Sequence, residues 1–384
     1  MMQSTFFMPP INMMGAGCIA KAVQQISDFG IHKCLIVTDV FLSESVMMGR
    51  LKMLLNRHDV DTIIFPGALP NPTTSNVKAG LNVLLEHHCD AVVSFGGGSP
   101  HDCAKAIALL ATNGGEIEDY EGINCSEREQ LPLFAINTTA GTGSEITRFC
   151  IITDEQRHIK MAIIDKNVTP LMSVNDPELM LDMPKSLTAA TGMDALTHAI
   201  EAYMSTSAFP VTDGLALKAI NLIQQNLRTT VFQGDNLPAR ENMAIAQFMA
   251  GMAFNSASLG YVHAIAHQLG GYYNLPHGVC NAILLPHVQR FNAGLPAVAQ
   301  RLMDIANAMG LKLSVDHARN VDITLAAIKQ LSSDIGIPGG LAELGVKEKD
   351  FDILAENTLA DSCSLTNPRI ATKQQIKEIL SAAM

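Results

Sequence analysis

Charge is scarce in this 384-residue chain: Asp, Glu, Lys and Arg make up 16% of it, and apolar residues 48%. That balance excludes an intrinsically disordered chain, which stays unfolded through high charge and low hydrophobicity. No run of five basic residues occurs and the formal net charge is -11, so the electrostatic footprint of nucleic-acid binding is missing. No stretch of about 18 apolar residues exists, which argues against a transmembrane helix. The first basic residue is Lys21, and Pro9 and Pro10 interrupt the first apolar stretch, so a secretory leader is not expected. None of the eight cysteines, at Cys18, Cys34, Cys89, Cys103, Cys125, Cys150, Cys280 and Cys363, sits in a CxxC pair. Buried reduced thiols in a cytoplasmic protein are the expectation.

What is present divides the chain in two, as its length suggests at roughly 100–200 residues per domain. In the first part, short β-rich runs alternate with helical stretches. Cys34–Thr38, Thr62–Phe65, Ala91–Phe95 and Leu133–Ile136 read as buried strands, with helices over Thr74–His88 and His101–Ala111 between them. This is the pattern of βαβ units around a parallel sheet. Arg148–Thr153 and Lys160–Asp165 flank a polar turn, Asp154–His158, and read as a hairpin. Helical periodicity dominates from residue 184 onward, with breaks expected at Pro210, Pro238, Pro276, Pro286, Pro296 and Pro338. The expected division is an α/β domain over 1–183 and an all-helical domain over 184–384.

The shortage of charge has a location. Asn242–Gln289 contains no Asp, Glu, Lys or Arg in 48 residues, against about eight expected from the average composition. Such a run belongs in a protein interior. It nevertheless holds His263, His267, His277 and His287. Buried imidazoles need partners, because an unpaired buried polar group costs about 1–3 kcal/mol. A metal ion is one such partner.

Two glycine-rich segments compete for a nucleotide. Gly15–Ala20 is a formal GxGxxA, and Asp39 follows at the spacing of a ribose-binding acid. The Pro9-Pro10 pair makes the preceding stretch a poor strand, which weakens this match. Ser94–Pro100 follows a good strand and opens a helix, with Ser99 expected as N-cap, Pro100 at N1 and Asp102 at N3. Its three glycines bring backbone N–H groups close to a ligand, and the helix N-terminus favours a pyrophosphate. Asp39, ending the first strand, suits ribose hydroxyls and would repel a 2′-phosphate, which favours NAD over NADP. Thr138–Ser144, rich in hydroxyls and glycine, offers a second cradle.

Asp194 and His198 are spaced i, i+4, and His263 and His267 repeat that spacing. Leu196, Ile200 and Tyr203 mark an apolar face on the first of these helices. His277 follows ten residues after His267, beyond Gly270-Gly271 and Pro276, where the chain turns back. A carboxylate with two or three imidazoles makes a mixed N/O donor set compatible with Fe²⁺ or Zn²⁺. Spacing alone does not say which histidines would bind.

Four motifs together carry a resemblance: Gly96–Asp102 (GGGSPHD), Asn137–Thr142 (NTTAGT), Ala190–His198 (ATGMDALTH), and His263–His267 with Pro276–Gly278. The chain resembles the iron-containing (group III) alcohol dehydrogenase family from Ser4 to its C-terminus, and within it the bacterial ethanol and short-chain enzymes. The resemblance implies a Rossmann-like N-terminal domain and an all-α C-terminal domain, the dehydroquinate synthase-like fold, with a catalytic cleft between them. It implies metal ligands at Asp194, His198, His263 and His277, with His267 near the nicotinamide and substrate as a proton carrier. It places Asp39 and Asn71 on the adenosine side, and the pyrophosphate on Gly97, Gly98 and Ser99. Asp102, Thr138, Thr139 and Thr142 would line the rest, with Thr147, Phe149, Lys160 and Leu179 around the nicotinamide ribose. Phe149, Phe254 and Leu259 would wall the substrate channel. His287 is left without a role.

The implied function is reversible hydride transfer between a short-chain primary alcohol and NAD, assisted by Fe²⁺ or Zn²⁺, in a cytoplasmic enzyme that forms a dimer or larger homo-oligomer. Membrane and nucleic acid are not expected partners. Rival readings are a 1,2- or 1,3-diol dehydrogenase or lactaldehyde reductase, a non-redox lyase of the same fold, and a non-catalytic nucleotide-binding protein. The lyase would need cationic clamps for a phosphorylated acid. The window Asn242–Gln289 supplies no Lys or Arg for them.

Overall fold

A computed structural model of the chain describes residues 4–157 and 159–384. Phe7–Leu181 and Asp182–Met384 fall in separate compact units. The first is built on a six-stranded sheet of β1 (Ile11–Met14), β2 (Lys33–Val37), β3 (Asp61–Phe65), β4 (Ala91–Gly96), β6 (Leu133–Asn137) and β9 (Met172–Asn175). All pairs in it are parallel, in the order β1-β9-β6-β4-β2-β3. The connecting helices are α1 (Ile19–Asp28), α2 (Val40–Ser43), α3 (Val46–Arg57), α4 (Thr74–Glu86) and α5 (Gly98–Asn113). A small second sheet joins the two-residue β5 (Gly122–Ile123) to the antiparallel pair β7 (Phe149–Asp154) and β8 (Ile159–Ile164). The hairpin is therefore present; His158, expected in its turn, lies outside the described residues.

The sheet has a core on each face because its side chains alternate. On β2, Cys34 and Ile36 pack with α1 and α3, while Leu35 and Val37 pack with α4 and α5. From β2 the chain goes outward to β3, then returns to lay β4 on the other side of β2. That reversal is a topological switch point, and crevices for ligands open there beyond the carboxyl ends of the strands. Asp39 follows β2 and Gly97 follows β4, so both flank it.

Two expectations fail in this unit. Ile11–Met14 is a strand despite Pro9 and Pro10: it sits at the sheet edge, where a missing upstream N–H costs no ladder bond, and pairs in register with β9. Ser99 is not the N-cap of α5. The helix begins two residues earlier, at Gly98 with Gly97 as N-cap, which moves Pro100 and Asp102 deeper into it.

The second unit is helical: α6 (Lys185–Met204), α7 (Pro210–Phe232), α8 (Leu237–Ala257), α9 (Tyr261–Tyr273), α10 (His277–Asn292), α11 (Pro296–Ala308), α12 (His317–Asp334), α13 (Phe351–Ala360) and α14 (Lys373–Ala382). Pro210 and Pro296 open helices and Pro276 caps α10, as helix-start prolines do. Pro286 does not end a helix but lies inside α10. The apolar stripe expected on α6 does not exist as a stripe. Every residue from Thr191 to Ser205 is buried, because α7, α8 and α10 all pack against this helix. The charge-free window spans most of α8, all of α9 and most of α10, and is largely buried up to Gly270 and again from Cys280.

Candidate nucleotide and metal sites

The two glycine turns of the first unit differ in what their amides already bind. At Gly15–Ala20, the Asp176 carboxylate accepts from Gly17 N at 3.0 Å and Ile19 N at 3.2 Å, and also from Glu178 N at 3.0 Å. An anion is therefore built into that turn. At α5 no side chain caps the N-terminus. Gly96 has φ 152°, and a Cβ there would come within 2.6 Å of Pro100 Cγ. A Cβ on Gly97 would lie 2.9 Å from Thr139 Cγ2, and one on Gly98 3.1 Å from Thr142 Cγ2. The glycines thus let the α5 turn and the Thr138–Thr142 segment pack against each other, with helix amides left for an anion.

Hydrogen bonds tie the strand ends into one rim. Thr38 Oγ1 donates to Phe95 O at 2.7 Å, Thr138 N to Gly96 O at 2.9 Å, and Ala68 N to Thr38 O at 3.1 Å. Asp39 caps α2, accepting from Leu42 N at 2.8 Å. Asn71 and Lys160, both expected near the cofactor, meet each other: Lys160 Nζ donates to Asn71 Oδ1 at 2.7 Å.

Other expected contacts lie deeper. Leu179 is buried in the core under α1. Asp102 accepts from Ser144 Oγ at 2.6 Å and Ile151 N at 3.2 Å; burial raises its pKa although Lys105 opposes the shift. Lys105, itself fully buried, donates to Ser144 Oγ, Thr147 Oγ1 and Phe149 O, and stands 3.8 Å from Asp102. Asp102, Thr147 and Phe149 thus share one buried network, which sequence spacing did not reveal. Nearby, His101 Nδ1 lies 2.7 Å from Ser94 Oγ, and burial, then Lys105, pushes its pKa down to about 3.

In the second unit, α6 carries Asp194 and His198, α9 carries His263 and His267, and α10 opens with His277. Oδ1 of Asp194 lies 4.0 Å from His198 Nε2 and 3.7 Å from the Nε2 of both His263 and His277. The ligand atoms of Asp194, His263 and His277 all lie within 4.8 Å of one another. His198 stacks between Phe254, at 4.3 Å, and His263, at 4.5 Å between ring centroids. Contacts of 3.7–4.0 Å are too long for hydrogen bonds. They approach the roughly 3.4 Å spacing of donors that share a tetrahedral ion at about 2.1 Å.

The electrostatics fit a cation. Asp194 is 2% exposed, and among the described residues it pairs with no Lys or Arg. Burial works against its charge, but the imidazoles of His198, His277 and His263 hold its pKa well below the usual range. Burial likewise works against a charged His263 ring, yet Asp194 and Glu201 raise it to about 9. The pocket therefore favours positive charge between its carboxylates, and N/O donors suit Fe²⁺ or Zn²⁺.

Three residues, two in this cluster and one beside it, were missed in the sequence. Glu201 contacts His263 Nδ1 at 2.6 Å; its signal was its place at i+7 from Asp194, on the same helix face. Asn281 Nδ2 stands 2.7 Å from Asp194 Oδ1 and 3.1 Å from Nε2 of His263 and of His277, at i+4 from the latter. Asp361 contacts His267 Nδ1 at 2.9 Å from 94 residues away, a pairing without a local signal. Phe254 and Leu259 are both buried, and Thr366 Oγ1 donates to Leu259 O at 2.7 Å. His287 stays unassigned; burial, then Lys329, lowers its pKa to about 4.

With a parallel nucleotide-binding sheet, a helical unit and this carboxylate–imidazole cluster in place, the chain belongs to the iron-containing alcohol dehydrogenase family. Residues 9–177 match the profile described as iron-containing alcohol dehydrogenase, and residues 188–384 the one described as Fe-containing alcohol dehydrogenase family, C-terminal. Among similar proteins, alcohol dehydrogenase 4 of Schizosaccharomyces pombe is 53% identical over 99% of this chain and 89% of its own length. The NAD-dependent methanol dehydrogenase of Bacillus methanolicus is 45% identical over 99% of this chain and all of its own. The solved structure of an alcohol dehydrogenase from Oenococcus oeni covers both chains fully, with a TM-score of 0.97 and 43% identity. No helix among the described residues is long and apolar enough to cross a membrane.

Proposed function

We propose that this protein is an NAD-dependent alcohol dehydrogenase that interconverts a short-chain primary alcohol and its aldehyde with an Fe²⁺ ion held by Asp194, His198, His263 and His277. The observation that carries this is one buried carboxylate oxygen faced by three imidazole Nε2 atoms at 3.7–4.0 Å. When bound, the ion would supply Lewis-acid polarisation of the substrate oxygen and NAD would take up or return the hydride. Similarity to enzymes named alcohol dehydrogenase, methanol dehydrogenase and 1,3-propanediol dehydrogenase supports a small alcohol as substrate.

The chain's own residues bind, orient and shield. The amides at Gly97, Gly98 and Ser99 hold the pyrophosphate at the N-terminus of α5, while Thr138, Thr139 and Thr142 close against it. Asp39 accepts ribose hydroxyls and disfavours a 2′-phosphate. Asn71 and Lys160, already joined, border the same cofactor. Phe254 and Leu259 exclude water and limit substrate bulk. His267 carries the proton at Nε2, with its Nδ1 held by Asp361. The protein works in the cytoplasm as a homo-oligomer, in line with its reduced cysteines and the open edge of β1.

The test pairs elemental analysis with NADH absorbance on a panel of primary alcohols after anaerobic Fe²⁺ reconstitution. His263→Ala is expected to lose metal and activity together. Full activity in metal-depleted His263→Ala would overturn the ligand assignment.

A further inference from the structure

Glu201 completes a row on α6 with Asp194 and His198, at i, i+4 and i+7 on one helix face. It is 2% exposed and, among the described residues, pairs with no Lys or Arg. Oε1 accepts from Val262 N at 2.7 Å. Oε2 accepts from His263 N at 3.3 Å and meets His263 Nδ1 at 2.6 Å. Helix α9 has no side-chain cap of its own, so Glu201 serves that end from a neighbouring helix. Gly260 makes this approach available, since a Cβ there would sit 2.8 Å from Oε1.

An oxygen that already accepts a backbone N–H needs a donor at the ring nitrogen. The short Oε2–Nδ1 contact therefore places a proton on Nδ1, so the proton a bound ion would displace is the one on Nε2, the atom that faces Asp194 at 3.7 Å. We infer that Glu201 is a positioning residue for the metal site: it selects the His263 tautomer and fixes the ring so that Nε2 can hold the ion. A plain capping role would need only Val262 and His263 N. The inference rests on the proposed metal site and adds to it a residue outside the ligand set.

Glu201→Gln separates these roles. The amide oxygen retains the cap to Val262 N, but an NH₂ group replaces Oε2 and favours a proton on Nε2 instead. Outer carboxylates on metal-bound histidines contribute about 10–100-fold in affinity. Chelator competition on Fe²⁺- and Zn²⁺-loaded full-length protein is expected to show that weakening in Glu201→Gln. Nitrogen-15 spectra of the zinc-loaded wild type are expected to show His263 protonated at Nδ1. Wild-type metal affinity in folded Glu201→Gln, or a proton on Nε2 in the loaded wild type, overturns the inference. If the Gln variant does not fold, the spectrum still decides it. His263→Ala serves as the control: retained metal there would defeat the site itself, while loss there with wild-type affinity in Glu201→Gln would defeat this role alone.

Discussion

Asp176 holds the amide of Gly17 at 3.0 Å, so the turn that matches a dinucleotide pattern in sequence already contains a carboxylate where a phosphate would sit. Asp176→Ala is expected to lower stability by about 1–3 kcal/mol, since buried N–H groups lose their acceptor. Its KM for NAD⁺ should stay within about twofold of wild type. Gly97→Val should raise that KM at least about tenfold, because its side chain meets Thr139 in the proposed cradle. Urea unfolding and initial-rate kinetics on both variants check the contrast; a KM defect in Asp176→Ala would return the nucleotide to the first turn.

Asp39→Gly removes the acid proposed to meet the ribose and the cap on Leu42 N. The ratio of kcat/KM for NADPH over NADH should rise at least about tenfold, roughly 1.4 kcal/mol of altered discrimination. Loss of the cap should cost a few tenths of a kcal/mol, because glycine is itself tolerated there. Steady-state kinetics with both coenzymes would show an unchanged ratio if Asp39 only caps the helix.

His267→Ala should lower kcat by about 100-fold, the scale of one acid–base group, while metal content stays at the wild-type level. Asp361→Asn keeps an acceptor for Cys363 N but loses the one facing His267 Nδ1. It should lower kcat by about tenfold, again with full metal. Metal loss in His267→Ala would move that residue into the ligand set.

Acid sensitivity should trace in part to His101. Its folded pKa is about 3, against 6.5 for the free side chain, so between those values the unfolded chain binds more protons. Stability from this group is fully present above about pH 6.5 and falls as pH drops toward 3. Between pH 7 and 4.5 the loss is roughly 2.5 kcal/mol. His101→Gln should remove about one proton from the difference in uptake on unfolding. Denaturant midpoints measured every half pH unit would reveal it; parallel pH curves for the two proteins would rule the assignment out.

How much was legible follows from where each partner lies in the chain. β2, β4 and β6 read directly, because strands buried on both faces are short apolar runs. The edge strand Ile11–Met14 did not, because among the described residues it pairs with β9 alone, near the end of the same unit. Gly97 and Gly98 were visible as a motif, but the closeness of Thr139 and Thr142 that demands them was not. Asp102 looked like a first-turn helix residue; its contacts with Ser144 and Ile151 come from segments more than forty residues away.

The sequence by itself determined the donor types and their helical spacing: a carboxylate and a histidine one turn apart on α6, two histidines one turn apart on α9, and a third at the start of α10. Spacing treats His263 and His267 alike, since both lie on one face of one helix. Only the tertiary structure distinguished them. Glu201 takes Nδ1 of His263 and leaves its Nε2 toward Asp194, whereas Asp361 takes Nδ1 of His267, which lies outside the Asp194 cluster. A ring nitrogen's role is decided by the partner of the other nitrogen, and those partners arrive from helices that only folding brings together.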